Sequence, residues 1–242
     1  MSSFDRLRVV LVATRNPLNM GAAARAMSNF GFPRLRVVNP YHVAFREARS
    51  AVGASHVLAS AEDYQSVAEA VGDCTLVVGT TAVGRRTLQH PLRRLEYGAR
   101  LIRKQLRTSH VALLFGSEKS GLSNEAFSHC HWLLHIPTSQ ENISMNLGQA
   151  VAVCLYELAR DGKATPDLPR GIQKQSGASA AEVERITALL QEAMVASGYL
   201  KRKPTSDAEQ RLRRLVRRLK LPAGDVGAWL GILRQILWKL RN

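Results

Sequence analysis

The sequence contains no long apolar segment and few cysteines. No stretch approaches the roughly 18 to 20 apolar residues that a helix needs to cross a bilayer, so a membrane-spanning protein is not expected. The run that follows Met1 lacks a small-residue cleavage site and predicts a first strand, not a signal peptide. The three cysteines, Cys74, Cys130 and Cys154, are odd in number and have no short-range pairing, which predicts reduced thiols in a cytoplasmic protein.

Two glycine-rich nucleotide-binding motifs are also missing. No G-x-G-x-x-G follows the first apolar segment and no G-x-x-x-x-G-K-[ST] occurs, which disfavours dinucleotide-dependent dehydrogenases and P-loop enzymes. The segment His129-Cys130-His131 has the composition of a metal site. However, adjacent side chains diverge on any regular element, and no second ligand pair stands at zinc-like spacing. We therefore expect no bound metal.

Acidic residues are scarce relative to basic ones. The 242 residues include 34 Lys and Arg but only 19 Asp and Glu, which gives a net charge of +15. Residues 163–242 contribute 16 basic and 7 acidic side chains, so the excess is concentrated toward the C-terminus. Such a surface favours a polyanionic partner, with nucleic acid ahead of an anionic membrane.

Over residues 1–160, short apolar segments suited to buried strands alternate with helical patterns. This alternation predicts an α/β fold around a mostly parallel sheet. The predicted strands are 7–13, 35–38, 75–79, 111–115 and 132–136. The predicted helices run from residue 19 to a stop at Gly31, over 44–52, 61–71, 92–106 and 124–130, and onward from Ser144, the expected N-cap.

The composition changes after this α/β region. Residues 161–177 are rich in turn formers and predict a linker, which separates domain 1–160 from a helical, basic, RNA-binding extension at 178–242. Capping boxes are predicted at Ser179 and Ser206. The last helix, after Asp225, is expected to bury Trp229, Leu230, Leu233, Ile236, Leu237 and Leu240.

One amphipathic segment of the extension, residues 211–220, carries six basic residues in ten positions. It predicts a phosphate-contacting face, against the alternative of a merely solvated helix face. Attachment to a membrane is disfavoured because the apolar side of the segment lacks aromatic residues. The expected RNA-contacting residues of the segment are Arg211, Arg213, Arg214, Arg217, Arg218 and Lys220.

Polar clusters follow the ends of four predicted strands. They cover residues 19–25, 79–81, 115–122 and 136–150. In open α/β sheets, ligands bind beyond the carboxyl ends of the strands, so these loops are the expected binding site. Asn146 is expected in the first turn of its helix, where free backbone N–H groups could bind an anion or a ligand carboxylate.

Three of these loops carry ordered motifs. N-x-G-x-x-x-R runs from Asn19 to Arg25, F-G-x-E-x-x-G-L from Phe115 to Leu122, and S-x-N from Ser144 to Asn146. With these motifs, at these separations, the chain resembles the TrmH-like branch of the SPOUT methyltransferases over about residues 6–160. One mild departure is a methionine, Met145, where a leucine is more usual.

The resemblance implies a C-terminal trefoil knot in the α/β domain, a homodimer, and S-adenosylmethionine as cofactor. It also implies methyl transfer to a ribose 2′-hydroxyl of RNA. The helical extension resembles that of the subfamily acting on transfer RNA at nucleotide 32 of the anticodon loop. Two alternatives remain open: a 2′-O-methyltransferase of ribosomal RNA or another transfer RNA position, and a non-enzymatic RNA-binding factor.

The resemblance also implies roles for residues at the motif positions. Arg25 is expected to bind the target phosphate or to stabilise developing alkoxide charge, which suits a protonated guanidinium better than a role as base. The other expected catalytic residues, which orient Arg25 and the ribose, are Asn19, Glu118, Ser144 and Asn146. The expected cofactor contacts are Thr80, Thr81, Gly116, Glu118, Ile136, Ser144, Met145 and Leu147.

Overall fold

The computed structural model describes residues 3–40, 45–46, 56–82, 88–160, 176–200 and 205–241. The predicted helix 44–52 lies almost entirely outside these residues, as does most of the predicted linker 161–177. In the part of the chain that is described, no helix is both long and apolar enough to cross a membrane.

Seven strands form one sheet in which every described pair of neighbours is parallel. The strands are β1 (Leu7–Val12), β2 (Leu35–Val38), β3 (Glu62–Tyr64), β4 (Leu76–Thr80), β5 (Leu92–Arg94), β6 (Val111–Phe115) and β7 (Trp132–His135). Their order across the sheet is β3-β2-β1-β6-β4-β7-β5. The predicted α/β fold with a mostly parallel sheet is confirmed.

The described helices cover both faces of the sheet and continue beyond it as a helical module. They are α1 (Pro17–Phe30), α2 (His56–Ala59), α3 (Val67–Ala70), α4 (Leu95–Leu106), α5 (Asn124–Ser128), α6 (Leu147–Ala159), α7 (Ala180–Ala196), α8 (Ser206–Arg218) and α9 (Val226–Arg241). Gly31 ends α1 with a left-handed φ of 77°, as the sequence predicted.

Burial on both faces explains why the strands read as continuous apolar runs. On β1, Leu7, Val9 and Leu11 belong to a core cluster shared with α1, α4 and α6. Val10 points the other way and joins a second cluster with α3 and α5. Because the strands are parallel, their carboxyl ends all lie at one edge of the sheet, and the loops that follow them can meet there.

The two outermost strands were predicted as helix. Residues 61–71 and 92–106 were each expected to be entirely helical, but each begins with a three-residue strand, β3 and β5 respectively. An edge strand pairs on one side only, and its side chains need not be buried. Both edge strands here are mostly exposed, so neither shows the apolar run that identifies a central strand.

Helices α7, α8 and α9 share a core cluster of their own. Ser179 forms the predicted capping box with Glu182, but the second prediction was wrong because Thr205, not Ser206, caps α8. Along α9, the predicted buried residues Ile236 and Leu240 are 44% and 43% exposed.

The helical module is joined directly to the sheet domain. The amide of Ala180 donates to the carbonyl of Cys74 (2.8 Å), and the amide of Ala181 donates to that of Gly72 (3.1 Å). Ala180 is also part of the core cluster of α3 and α5. The first turn of α7 therefore packs as part of the α/β domain, while the boundaries expected at residues 160 and 178 stay a prediction.

The Asp73 carboxylate links the amino-terminal halves of β1 and β2. Asp73 accepts two hydrogen bonds from Arg36, at 2.5 and 3.2 Å, and one from Arg8 at 3.2 Å. Both arginine side chains are 10% exposed. Burial alone would raise the pKa of the Asp73 carboxyl, but the hydrogen bond and charge of Arg36, together with Arg8, hold that pKa well below its usual range.

We predict that Asp73→Asn lowers the free energy of unfolding by about 2 kcal/mol at pH 7, because two largely buried guanidinium groups lose their shared counter-charge. The value is at the low end for such pairs because Asp73 itself is partly exposed. The stabilisation is present above the unfolded-state pKa of about 3.9 and is lost as the pH falls below it.

Urea denaturation at pH 7 and at low pH measures the effect of Asp73→Asn, with Asp63→Asn as the control. Asp63 lies on the exposed edge strand β3. Equal stability of the two variants at pH 7 would contradict the role assigned to Asp73.

Candidate active site

Three motif residues that are far apart in the chain form one chain of hydrogen bonds. The side-chain amide of Asn19 donates to Oε1 of Glu118 at 2.9 Å. The side-chain amide of Asn146 donates to Oδ1 of Asn19, also at 2.9 Å. The expectation that the three motif loops converge is therefore met for Asn19, Glu118 and Asn146.

Asn146 also caps the helix that follows it. Its Oδ1 accepts from the amides of Gly148 (2.9 Å) and Gln149 (3.4 Å). The predictions that Ser144 is the N-cap and that Asn146 lies in the first turn were wrong. Asn146 is itself the N-cap, directly before the first turn of α6. Asparagine caps a helix about as well as serine does. Since Oδ1 is held by the helix, the amide NH₂ of Asn146 is directed to Asn19.

Glu118 holds the segment that leads into α1. Besides Asn19, its carboxylate accepts from the backbone amide of Asn16 at 3.4 Å and from that of Arg15 at 3.5 Å. Asn16 is itself the N-cap of α1, accepting from the amide of Leu18 at 2.9 Å. Glu118 is therefore an exposed carboxylate that also holds the first motif in place by accepting these hydrogen bonds.

Helices α1 and α6 lie side by side in parallel and fix the distance between Asn19 and Asn146. A Cβ atom at Gly148 would lie 2.6 Å from the Cβ of Ala22, so the two helices touch at that glycine. Further along, the rings of Phe30 and Tyr156 meet edge-on with centroids 6.0 Å apart. This close packing requires glycine at position 148.

Arg25 and Ser144 are not part of the hydrogen-bonded chain. Both are exposed, and among the residues that the structure describes neither side chain has a hydrogen-bond or ion-pair partner. Arg25 lies three residues after Ala22, and Asn19 three residues before it. All three are therefore on the side of α1 that contacts α6 at Gly148. Its guanidinium is available to an external anion.

A cleft of about 640 Å³ opens beyond the carboxyl ends of β4, β6 and β7. Its volume falls in the usual range of small-molecule sites. Much of its wall is apolar, with further contributions from residues that sequence reasoning did not single out, among them Leu134, Thr138 and Ile143. All eight expected cofactor-contact residues line it: Thr80, Thr81, Gly116, Glu118, Ile136, Ser144, Met145 and Leu147.

The loop after β6 is folded back tightly on itself. The amide of Gly121, which has a φ of +67°, donates to the carbonyl of Ser117 at 2.9 Å. A Cβ atom at Gly116 would lie 2.0 Å from the backbone carbon of Gly121, so no larger residue fits there. The neighbouring strand end is tied down as well, since the Thr80 hydroxyl donates to the carbonyl of Leu114 at 2.9 Å.

The basic helix α8 divides its arginines between two sides. Arg217 is buried, and Arg213 donates to Glu184 (3.0 Å) and to the hydroxyl of Ser128 (3.0 Å). These two residues lie one turn apart and face the protein interior, which differs from their expected place on an exposed face. The remaining basic residues of the segment are exposed or partly exposed: Arg211, Arg214, Arg218 and Lys220.

The residues of the segment 129–131 have separate partners within the protein. Nε2 of His129 lies 2.9 Å from the Glu125 carboxylate, and Nδ1 of His131 accepts from the amide of Val77 at 3.1 Å. Burial, aided by the charge of Arg217, lowers the pKa of His131 to about 3. Across the described ranges, no group of three or more His, Cys, Asp or Glu is arranged to hold a metal ion.

Comparison with known proteins gives a consistent result. Residues 6–156 match the SpoU rRNA methylase family. Over 240 residues the chain is 33% identical to "tRNA (cytidine/uridine/adenosine-2'-O-)-methyltransferase TrmJ" of Pseudomonas aeruginosa (strain UCBPP-PA14), which covers 96% of this chain and 93% of that protein. It is 34% identical over 236 residues to "tRNA (cytidine/uridine-2'-O-)-methyltransferase TrmJ" of Escherichia coli (strain K12), covering 96% and 95%.

Among solved structures, the crystal structure of TrmJ from Z. mobilis ZM4 is similar with a TM-score of 0.80 and 30% identity, over 95% of this chain and 98% of that one. The similarity thus includes the C-terminal helical region as well as the sheet domain. The resemblance inferred from the three motifs is confirmed. The chain belongs to the SpoU rRNA methylase family.

Proposed function

We propose that this protein is an S-adenosylmethionine-dependent methyltransferase that modifies a ribose 2′-hydroxyl of transfer RNA. The observation that carries the proposal is the Glu118–Asn19–Asn146 chain of hydrogen bonds at the edge of the 640 Å³ cleft. Family membership and the 2′-O-methyltransferase names of the two TrmJ relatives support it. The strongly basic composition suits an RNA substrate.

The cleft fits S-adenosylmethionine. Its apolar walls, including Leu134, Ile136 and Leu147, offer surfaces for the adenine ring. Because Gly116 has no side chain, main-chain groups around it would contact polar parts of the cofactor. When bound, S-adenosylmethionine supplies an electrophilic methyl group.

The residues around the cleft would prepare the ribose hydroxyl, which is a poor nucleophile. Positioning the hydroxyl in line with the methyl group is the first requirement, and the side chains of Asn19 and Asn146 are fixed for that purpose by their mutual hydrogen bond. Arg25 would bind the phosphate next to the target ribose and stabilise negative charge as the hydroxyl loses its proton. Ser144, exposed at the rim of the cleft, would complete the set of hydrogen-bonding groups.

We further propose that the enzyme acts at nucleotide 32 of the anticodon loop, as a cytoplasmic homodimer with the trefoil knot that its motifs imply. Exposed apolar side chains on the sheet domain support a dimer: Leu18 on α1 is 79% exposed and Tyr156 on α6 is 55% exposed. The three described cysteines are buried and free, which suits a reducing compartment. Arg211, Arg214 and Arg218 on α8, and Lys220 just after it, would contact RNA phosphates.

The alternatives give different results in two measurements. A non-enzymatic RNA-binding factor would show no binding of S-adenosylmethionine by calorimetry at millimolar concentration. An enzyme for ribosomal RNA or for another transfer RNA position would bind the cofactor but place the methyl group elsewhere, which mapping of the modified nucleotide on unmodified transcripts would reveal.

Arg25→Ala should reduce methyl transfer to transfer RNA by at least about a hundredfold, because a preorganised charge at the reacting oxygen is lost. Cofactor affinity should change little, since Arg25 does not line the cleft. The control is Arg34→Ala, which removes an exposed arginine that lies outside the motifs. Wild-type activity in Arg25→Ala would refute the assigned role.

Gly116→Ala should abolish measurable S-adenosylmethionine binding, because the new methyl group would collide with the backbone of Gly121 and displace the loop. Gly231→Ala on α9 is the matched control: it lies outside the motifs, nothing lies within 4 Å of the added atom, and alanine favours the helix. Calorimetric titration of both variants checks the expectation. Retained binding by Gly116→Ala would show that the cofactor does not depend on this loop.

A further inference from the structure

A second cavity, of about 550 Å³, lies between α8 and the segments around residues 90 and 130. It shares no lining residue with the cofactor cleft. Of the described residues that line it, four are arginines and two are histidines, and none is acidic. A cavity with this composition has a positive potential and attracts an anion.

Arg217 is the most buried of these charged groups. Its side chain is 2% exposed, and Nε and Nη1 have no hydrogen-bond partner within the described structure. Its Nη2 lies 3.5 Å from Glu184, but Arg213 donates to that same carboxylate at 3.0 Å. Two guanidinium groups thus share one carboxylate, which leaves a buried positive charge without full compensation, a costly arrangement unless an anion is near.

Of the two histidines that line the cavity, only His131 has a ring N–H free to donate to a ligand, because the ring N–H of neutral His90 donates to the backbone carbonyl of Phe127. Burial, together with the charges of Arg214 and Arg218, lowers the pKa of His90, and its buried Nε2 has no hydrogen-bond partner within the described structure. His131 accepts a hydrogen bond at Nδ1 from the amide of Val77, so its proton is on Nε2. The Nε2–H of neutral His131 can donate to an anion without adding to the charge already present.

The rest of the lining is apolar and includes Pro91, Met194, Leu200 and Leu212. A bare inorganic ion would leave this surface and most of the volume unused. The combination of a cationic wall and an apolar wall is suited to a phosphate that is attached to a planar, weakly polar body.

We propose that this cavity binds one nucleotide, with its phosphate against Arg214, Arg217 and Arg218 and its base and ribose against the apolar wall. The nucleotide is either a unit of an RNA chain or a free mononucleotide. The first source rests on the proposed RNA substrate, whereas the second does not. In both cases the phosphate neutralises the positive charge of Arg217, which shares the Glu184 carboxylate with Arg213.

The experiment titrates the full-length protein with inorganic phosphate, with uridine monophosphate and with a transfer RNA transcript. Calorimetry is used for the small molecules and filter binding for RNA. The test variants are Arg217→Met, which keeps the length of the side chain, and Arg214→Gln, which changes a partly exposed position. Arg234→Gln on α9 is the control, because it removes the same charge from an exposed site outside the cavity. Binding of S-adenosylmethionine is measured in parallel for each variant.

We expect uridine monophosphate or the transcript to bind at least about tenfold more weakly to Arg217→Met and Arg214→Gln than to wild type or Arg234→Gln. The reason is that each test variant loses one or more charge-assisted hydrogen bonds to the phosphate. Loss for the mononucleotide identifies a free ligand as the source. Loss for the transcript alone identifies RNA only if Arg217→Met shows it as well as Arg214→Gln, because Arg217 is buried and does not belong to the exposed basic residues of α8. The proposal is overturned if neither ligand distinguishes the variants from the control, or if inorganic phosphate binds as tightly as the nucleotide. Unimpaired S-adenosylmethionine binding separates this result from a failure of the proposed function.

Discussion

The geometry of the candidate active site depends on one asparagine, whose side chain both accepts and donates hydrogen bonds. Asn146 accepts from the first amides of α6 through Oδ1 and donates to Asn19 through its NH₂. A serine or aspartate could cap the helix, but neither has an amide to donate across to the first motif. The orientation of Asn19, and through it the contact with Glu118, therefore follows from the way in which one helix begins.

That hydrogen-bonded chain is possible only because the sheet and its helices bring the three loops to one edge. Parallel strands with both faces covered direct the loops after β1, β6 and β7, together with the loop after β4, to the same side. The contact of Ala22 with Gly148 then sets the separation of α1 from α6. The cleft beside the network is the space left between these loops, and Gly116 keeps it open by letting backbone pass close to backbone.

The helical module uses its basic residues in two ways. Arg213 and Arg217 point inward, where Glu184 and groups on the sheet domain, including Ser128, meet them. The other basic residues of α8 remain at the surface or at the second cavity. The same helix can therefore attach the module to the sheet domain and present positive charge to a partner, because residues three or four positions apart share a side while their neighbours do not.

Much of this fold and site could be predicted from local patterns in the sequence. Buried strands such as β2 and β6 were placed to the residue, because burial on both faces leaves a direct signal in the order of residues. The eight expected cofactor contacts came from the family resemblance that the motif loops carry, and all of them line one cleft. The edge strands β3 and β5 leave no such signal, since their side chains are mostly exposed and their pairing is decided by a distant neighbour.

The amino-acid sequence by itself determined the α/β class, the central strands, the motif loops and the excess of positive charge. The tertiary structure alone decided that Asn146 and not Ser144 caps α6, that Arg213 and Arg217 face inward, and that Arg25 stands apart from the hydrogen-bonded chain. The physical reason is that periodicity and composition are properties of neighbours in the chain, whereas the partner of a polar side chain is chosen by what packs against it in space.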